Sequence, residues 1–200
     1  SDNLKLSVLD LFSILLPGII MEALLYQLPC MVTLVKSLFH NISKEWQVSI
    51  ALFIAAYIIG HIVYYIGSFW DIIVHKKIYE KNWDNTKMND LITGIKKQKI
   101  GIADITVINN YKWCRAEFII RYPAVYSVVE GFEASSKFFR SLTGVMSIGI
   151  FIFLYLNQFI FMTVCLVMAI IAFIMYVHLR KKAIRTAYEH IITIYGKSDQ

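Results

Sequence analysis

Arg185 and His190 are residue types that together can cleave RNA, and four residues separate them. In a ribonuclease site a histidine acts as acid or base, and an arginine stabilises the charge that develops on the phosphate. A regular helix turns about 100° per residue, so side chains five residues apart point ~140° away from each other. They share a face only if the helix is distorted or if two protomers combine. The spacing alone therefore favours an accidental pairing over a catalytic one.

The basic run just before this pair has a simpler explanation. Arg180, Lys181 and Lys182 directly follow a long apolar block. Lysine and arginine next to the end of a membrane helix bind anionic lipid headgroups. The run therefore predicts a lipid-facing basic tail over residues 180–200, with Arg185 as one of its cations.

Glu22 and His61 are ionisable residues inside predicted membrane spans, and Tyr57 and Tyr64 add polar groups near His61. Charged groups at membrane depth are costly and face water, a partner or the bundle interior. Two interpretations stay open. The residues line a pore or proton path, or they form a hydrogen bond that holds two helices together.

Gly60 and Gly67 are seven residues apart and so lie on one face of a helix. Small residues let a second membrane helix approach closely. This face is predicted to be a helix-packing surface.

The sequence indicates neither a metal nor a cofactor. The three cysteines are isolated and form no Cys/His ligand cluster. There is no glycine-rich phosphate loop and no Ser/His/Asp arrangement. An enzymatic role would therefore be limited to a metal-independent ribonuclease using Arg185 and His190.

The composition is that of a helical membrane protein. Hydrophobic residues make up 58% of the 200 residues, and the mean hydropathy is +0.57. The net charge of +6 fits the Lys/Arg bias of cytoplasmic membrane-protein segments better than nucleic-acid binding. The predicted fold class is all-α, with about four transmembrane helices and a helical cytoplasmic domain.

Four apolar stretches are long enough to cross a bilayer core of ~30 Å. The first, 8–35, is expected to bend because it contains Pro17-Gly18 and Pro29. The second is 47–69, and these two form a helix pair over 8–70. The block 141–179 forms a hairpin, interrupted only by Asn157 and Gln158. The chain start lacks a basic region with a cleavage site, so the first stretch is predicted to be a retained anchor.

Residues 71–140 carry most of the charged side chains and form the predicted cytoplasmic domain. Helix is expected to continue to about Tyr79, and a short helix is expected near 87–95. Asn110 is a plausible N-cap of the next helix. Pro123 and Gly131 are expected kinks or breaks, after which the helix enters the third crossing.

Most of the lysine and arginine residues lie in 71–140 and 180–200. The positive-inside rule then places the amino terminus, the middle domain and the carboxyl-terminal tail in the cytoplasm. An even number of crossings is consistent with this orientation.

The size, the multiple apolar spans, the basic cytoplasmic part and the Arg185-x4-His190 spacing together resemble small membrane accessory proteins of type VI-B, RNA-targeting CRISPR systems. The spacing is similar to that of HEPN-like proteins, although Thr186 stands where those proteins often have a polar Asn, Asp or His. The resemblance implies a bacterial inner-membrane protein of antiphage defence. It also implies a homo-oligomeric pore that lowers the membrane potential during infection.

Three functions follow as hypotheses. The first is a homo-oligomeric pore or channel-like effector, with itself, anionic lipid, and RNA or a CRISPR nuclease as partners. The second is a HEPN-type ribonuclease using Arg185 and His190. The third is a small transporter subunit in which Glu22 couples to protons.

Overall fold

The computed structural model describes residues 2–39, 45–74, 86–100 and 109–196. Every element in this part of the chain is an α-helix, which confirms the all-α prediction. The helices are α1 (Asp2–Leu25), α2 (Pro29–Phe39), α3 (Glu45–Val74), α4 (Thr86–Ile100), α5 (Asn110–Arg121), α6 (Pro123–Tyr155) and α7 (Phe159–Tyr195).

Three described helices, α3, α6 and α7, are long and apolar enough to cross a membrane. The pair α1 and α2 is also apolar enough, but it bends by 105° at the break between the two helices. The predicted bend is therefore present, yet α1 continues through Pro17 and ends before Pro29. Proline disfavours helical conformation in the residue before it, which explains the break at this position.

The two longest helices in the described part of the chain, α6 and α7, form a hairpin. At 1.5 Å per residue, its 33- and 37-residue helices are roughly 50 and 55 Å long, far more than a bilayer core requires. The turn between them contains Asn157 with a φ of 55°, a left-handed conformation that asparagine tolerates. The Gln158 N–H donates to the Phe153 carbonyl at 2.9 Å and closes the end of α6.

The hairpin takes part in two separate cores. One core, here the apolar bundle, combines α1 and α3 with the second half of α6 and the first half of α7, around Met21, Val63 and Val145. The other core is also hydrophobic and combines α4 and α5 with the remaining halves of α6 and α7. We call this part the polar bundle, because its helices carry most of the charged side chains. Its centre includes Phe118 and Ile191.

The segment predicted as a basic tail, 180–200, is helical and part of the polar bundle as far as residue 195. Residues 180–195 continue α7 without a break, and the buried side chains Ile184, Ala187, Tyr188 and Ile191 pack into the hydrophobic core of the polar bundle. The apolar side chains recur at helical spacing on one face between the basic residues, so this segment is amphipathic rather than simply basic.

Several boundaries within 71–140 also differ from expectation. The cap of α5 is Asn109, whose side chain accepts from the backbone N–H groups of Tyr111 and Lys112. Pro123 begins α6, as proline does at a first helical position, whereas Gly131 lies inside the continuous helix. The predicted continuation of the second crossing to Tyr79 lies outside the described residues beyond Val74.

Candidate functional site

A row of polar side chains runs along the outward face of α3. Tyr57, His61 and Tyr65 are four residues apart, so they lie above one another on the helix surface. All three are exposed, Tyr65 to 80%, and the rings of Tyr57 and His61 meet edge to face at 4.6 Å. We call these three residues the α3 polar row. It lies within the segment Trp46–Ile72, which is apolar enough to cross a membrane.

The other side of α3 packs against backbone. A Cβ added at Gly60 would overlap the Ile14 carbonyl oxygen of α1, and one at Gly67 would lie 3.5 Å from Arg140 of α6. A Cβ added at Gly18 of α1 would likewise overlap the Ala56 carbonyl oxygen of α3. Gly18 and Gly60 thus allow the backbones of α1 and α3 to approach closely, and this packing orients the α3 polar row away from the bundle.

Glu22 lies away from His61 in this arrangement. Ile14 lies beside Gly60 and Gly18 beside Ala56, so α1 and α3 run antiparallel. Extending this register places Glu22 about two helical turns, or ~13 Å, from the level of His61. Glu22 is half-buried at the edge of α1. The two predicted intramembrane ionisable residues are therefore not brought together within one protomer.

Tyr64 is part of a different cluster, at the end of α3 where the two bundles meet. Its ring lies under the Arg140 guanidinium, 4.6 Å from the centroid. Arg140 pairs with Asp71, and the Tyr176 hydroxyl donates to the same carboxylate. We call Tyr64, Asp71, Arg140 and Tyr176 the junction cluster. It joins α3 to both hairpin helices through one carboxylate.

The junction cluster retains unused hydrogen-bonding capacity. Arg140 is 7% exposed, and its Nε has no hydrogen-bond partner among the described residues. The hydroxyl of Ser141, which is fully buried, is likewise without a partner there. Unpaired buried polar atoms destabilise the arrangement that contains them.

A second charged cluster lies inside the polar bundle around Glu133, which is 3% exposed. The Tyr111 hydroxyl and the Arg180 guanidinium donate to its Oε1 at 2.8 and 3.0 Å. Arg115 Nη1 lies 3.2 Å from Oε2 as an ion pair. Burial and the Glu133 charge raise the pKa of Tyr111 above its usual range. We call Tyr111, Arg115, Glu133 and Arg180 the Glu133 cluster, which ties α5, α6 and α7 together.

The Glu133 cluster gives Arg180, which was predicted to be a lipid anchor, a partner within the protein. Its guanidinium binds Glu133 and lies 5.4 Å from the Tyr111 ring. Lys182 lies over the Phe132 ring at 4.5 Å, and Lys181 is exposed. These side chains lie beside a folded bundle, because α6 continues alongside α7 in this region.

Arg185 and His190 have separate partners. Arg185 is exposed and pairs with Glu189 at 2.7 Å, one turn further along α7. His190 is half-buried, with its ring 6.5 Å from that of Phe118 in an edge-to-face arrangement. The helix is continuous through both residues. The structure therefore does not combine them into one site within a protomer.

Sequence reasoning missed Asp71, Arg140 and Tyr176 as a unit. One signal was present: Asp71 ends the second apolar run, and Arg140 precedes the last one. Opposite charges at the same membrane boundary are suited to pair. Sequence reasoning also missed the contacts of Glu133, because its partners on α5 and α7 are brought to it only by the tertiary fold.

Metal and thiol chemistry find no support in the described part of the chain. No group of three His, Cys, Asp or Glu side chains there could hold a metal ion. Cys114 is fully buried, and burial raises the pKa of its thiol to about 12. A thiol that stays protonated is a poor nucleophile.

No family model, curated protein or solved structure matches this chain. The geometry itself therefore provides the evidence for a function.

Proposed function

We propose that this chain is a homo-oligomeric, pore-like membrane effector whose conduit is lined by α3. The α3 polar row carries the proposal. An imidazole and two phenols are exposed along one face of a helix that is apolar enough to span a bilayer. In a single protomer this row would face hydrocarbon, which is unfavourable for a polar intramembrane group. A second protomer or a water-filled conduit would provide hydrogen-bond partners for these polar groups.

The exposed apolar surface of α3 also supports assembly into an oligomer. Only 22% of the apolar windows of α3 and α7 is buried within the protomer, against 56% for α6, and α3 is the one of the two that carries the polar row. The hairpin and the glycine contacts hold α3 at the edge of the bundle. Several copies arranged about an axis would bring their α3 polar rows together around a central path.

The resemblance to membrane accessory proteins of RNA-targeting CRISPR systems supports the biological setting. In that setting the pore acts in the bacterial inner membrane and lowers the membrane potential during phage infection. The polar bundle then lies in the cytoplasm, where RNA or a CRISPR nuclease could contact it.

The test is potential dissipation by the full chain in lipid vesicles that carry a potassium gradient and a voltage-sensitive dye. We expect the wild-type protein to dissipate the potential and His61→Leu to do so much more slowly. Ile62→Leu is the matched control, because Ile62 is exposed on another face of α3. Native mass measurement in lipid nanodiscs should show one oligomer.

Two outcomes would contradict the proposal. One is a strict monomer in nanodiscs. The other is a wild-type protein that leaves the potential as stable as in protein-free vesicles. Equal rates for His61→Leu and wild type would exclude the α3 polar row as the lining.

A further inference from the structure

We propose that α2 is an interfacial anchor that lies in the lipid headgroup region at the membrane surface opposite the polar bundle. The inference goes beyond the proposed pore, and its test does not depend on conduction. It rests on the direction of α2, its position at one end of the apolar bundle and the separation of its side chains into rows.

The direction of α2 is set by the break after α1. The two helix axes differ by 105°. Because α1 packs antiparallel to α3, which is long and apolar enough to cross a membrane, a helix that turns by about a right angle from α1 lies close to the membrane plane. With 11 residues, α2 is about 17 Å long, too short to cross a core of ~30 Å by itself.

The position of α2 follows from the end of α1. Leu24 lies against Gly149, close to the α6–α7 turn. The junction cluster and the polar bundle lie at the other end of the hairpin. Thus α2 leaves the apolar bundle at the end remote from the polar bundle, at the depth where the hairpin turns.

The side chains of α2 form distinct rows. Leu34 and Leu38, one turn apart, are exposed to 49% and 65%. Thr33, Lys36 and Ser37 lie together on the neighbouring polar face. No residue of α2 is fully buried. A helix with an apolar face beside a cationic, hydroxyl-bearing face is typical of interfacial helices.

The remaining apolar side chains attach α2 to the protein. Met31, Val32, Val35 and Phe39 are half-buried, in contrast to the exposed leucines. This leaves Leu34 and Leu38 to enter the acyl chains and Lys36 to meet lipid phosphate. Charge complementarity with a phosphate surface, and the direction of α2, favour lipid over a second protein copy as its partner.

The test measures membrane depth along α2 in the full chain, reconstituted in nanodiscs of phosphatidylcholine and phosphatidylglycerol. Spin labels are placed singly with Leu34→Cys, Leu38→Cys, Thr33→Cys and Ser37→Cys in a Cys30→Ser background. Collision with oxygen reports hydrocarbon, and collision with a water-soluble nickel chelate reports water. We expect a severalfold higher oxygen-to-nickel ratio at the two leucine positions than at the two hydroxyl positions.

The native cysteines make the labelling selective, because Cys114 and Cys165 are buried whereas Cys30 is exposed. Three results would overturn the inference. Nickel access at all four positions would place α2 in water. Oxygen access at all four would place it within the hydrocarbon as part of a crossing. Immobile labels with spin–spin broadening would show that a second copy covers the leucines.

Discussion

Glu133→Gln tests whether the Glu133 cluster holds the polar bundle together. Glutamine keeps the shape of the side chain and still offers an oxygen to the Tyr111 hydroxyl. It removes the negative charge that faces Arg115 and Arg180 at 3.2 and 3.0 Å. The substitution therefore isolates charge from packing.

The expected cost follows from the exposure of each partner. Glu133 is 3% exposed, but the side chains of Arg115 and Arg180 are 35% and 30% exposed and can regain water. A hydrogen bond to a charged group contributes ~1.5–3 kcal/mol, against ~0.5–1.5 kcal/mol for a neutral pair. With two arginine contacts, discounted for solvent screening, we expect a loss of about 2–3 kcal/mol. For a chain of this size that lowers the melting temperature by roughly 4–12 °C.

The assay uses Cys114 as a reporter of the polar bundle. Its thiol is fully buried beside the cluster's helices, and a fluorogenic maleimide reacts with it only after the bundle opens. Cys30→Ser and Cys165→Ser remove the other thiols. Heating the protein in detergent then gives an apparent melting temperature at a fixed scan rate, which compares variants under one condition.

Glu130→Gln is the matched control. Glu130 lies on α6 one turn before Glu133 and approaches Arg115 only at 3.8 Å. We expect a shift below about 1 kcal/mol for such a long contact to a part-exposed arginine. Equal melting temperatures for the two variants would refute the view that Glu133 contributes through its charge.

Three further predictions concern other parts of the chain. Gly60→Ala should disrupt α1–α3 packing and lower yield and melting temperature. Gly94→Ala, where nothing lies within 4 Å of the added Cβ, should leave the yield unchanged and raise the melting temperature slightly, because alanine favours a helix over glycine; a loss at both positions would contradict the close backbone contact at Gly60. Burial raises the pKa of Tyr188 to about 12, so its stabilisation is complete below the ordinary tyrosine pKa of about 10 and is lost as the pH rises from about 10 to about 12. Circular dichroism and phenolate absorbance should change together in that range, and full helicity above it would contradict the assignment. Purified protein should leave RNA intact, because Arg185 and His190 have separate partners; cleavage that Arg185→Ala abolishes would reinstate the ribonuclease hypothesis.

The sequence was sufficient for the features set by local pattern. Apolar runs of bilayer length predicted the long apolar helices, and the Asn157-Gln158 interruption predicted the hairpin turn. The charge-poor and charge-rich segments of the sequence correspond roughly to the apolar and polar bundles. Both bundles are stabilised mainly by burial of apolar surface. The packing of the second half of α7 into the polar bundle was not predicted. Its basic residues were interpreted as a tail, and the apolar face between them was not recognised.

The contacts across helices could not be read from the sequence in the same way. Whether Glu133 faces water or Arg180 depends on where α5 and α7 lie relative to α6. Likewise, Asp71 and Arg140 are 69 residues apart and pair only through the three-dimensional fold. Local spacing contains no information about such pairs, and for this reason Arg180 was assigned to lipid.

The two charged clusters suggest how the polar bundle could influence the α3 polar row. Both hairpin helices continue from one bundle into the other, so a rotation of the polar bundle is transmitted along α6 and α7. At the boundary, Arg140 and Tyr176 of these helices bind Asp71 at the end of α3. The same end of α3 packs against α6, where a Cβ added at Gly67 would lie 3.5 Å from the Arg140 backbone, an ordinary van der Waals contact. A partner that displaces α6 or α7 in the polar bundle would therefore either carry α3 along or break the Asp71 contacts. In the proposed pore, a change in the orientation of α3 would move Tyr57, His61 and Tyr65 relative to the conduit, so the junction cluster is the place where a partner of the polar bundle would act on conduction.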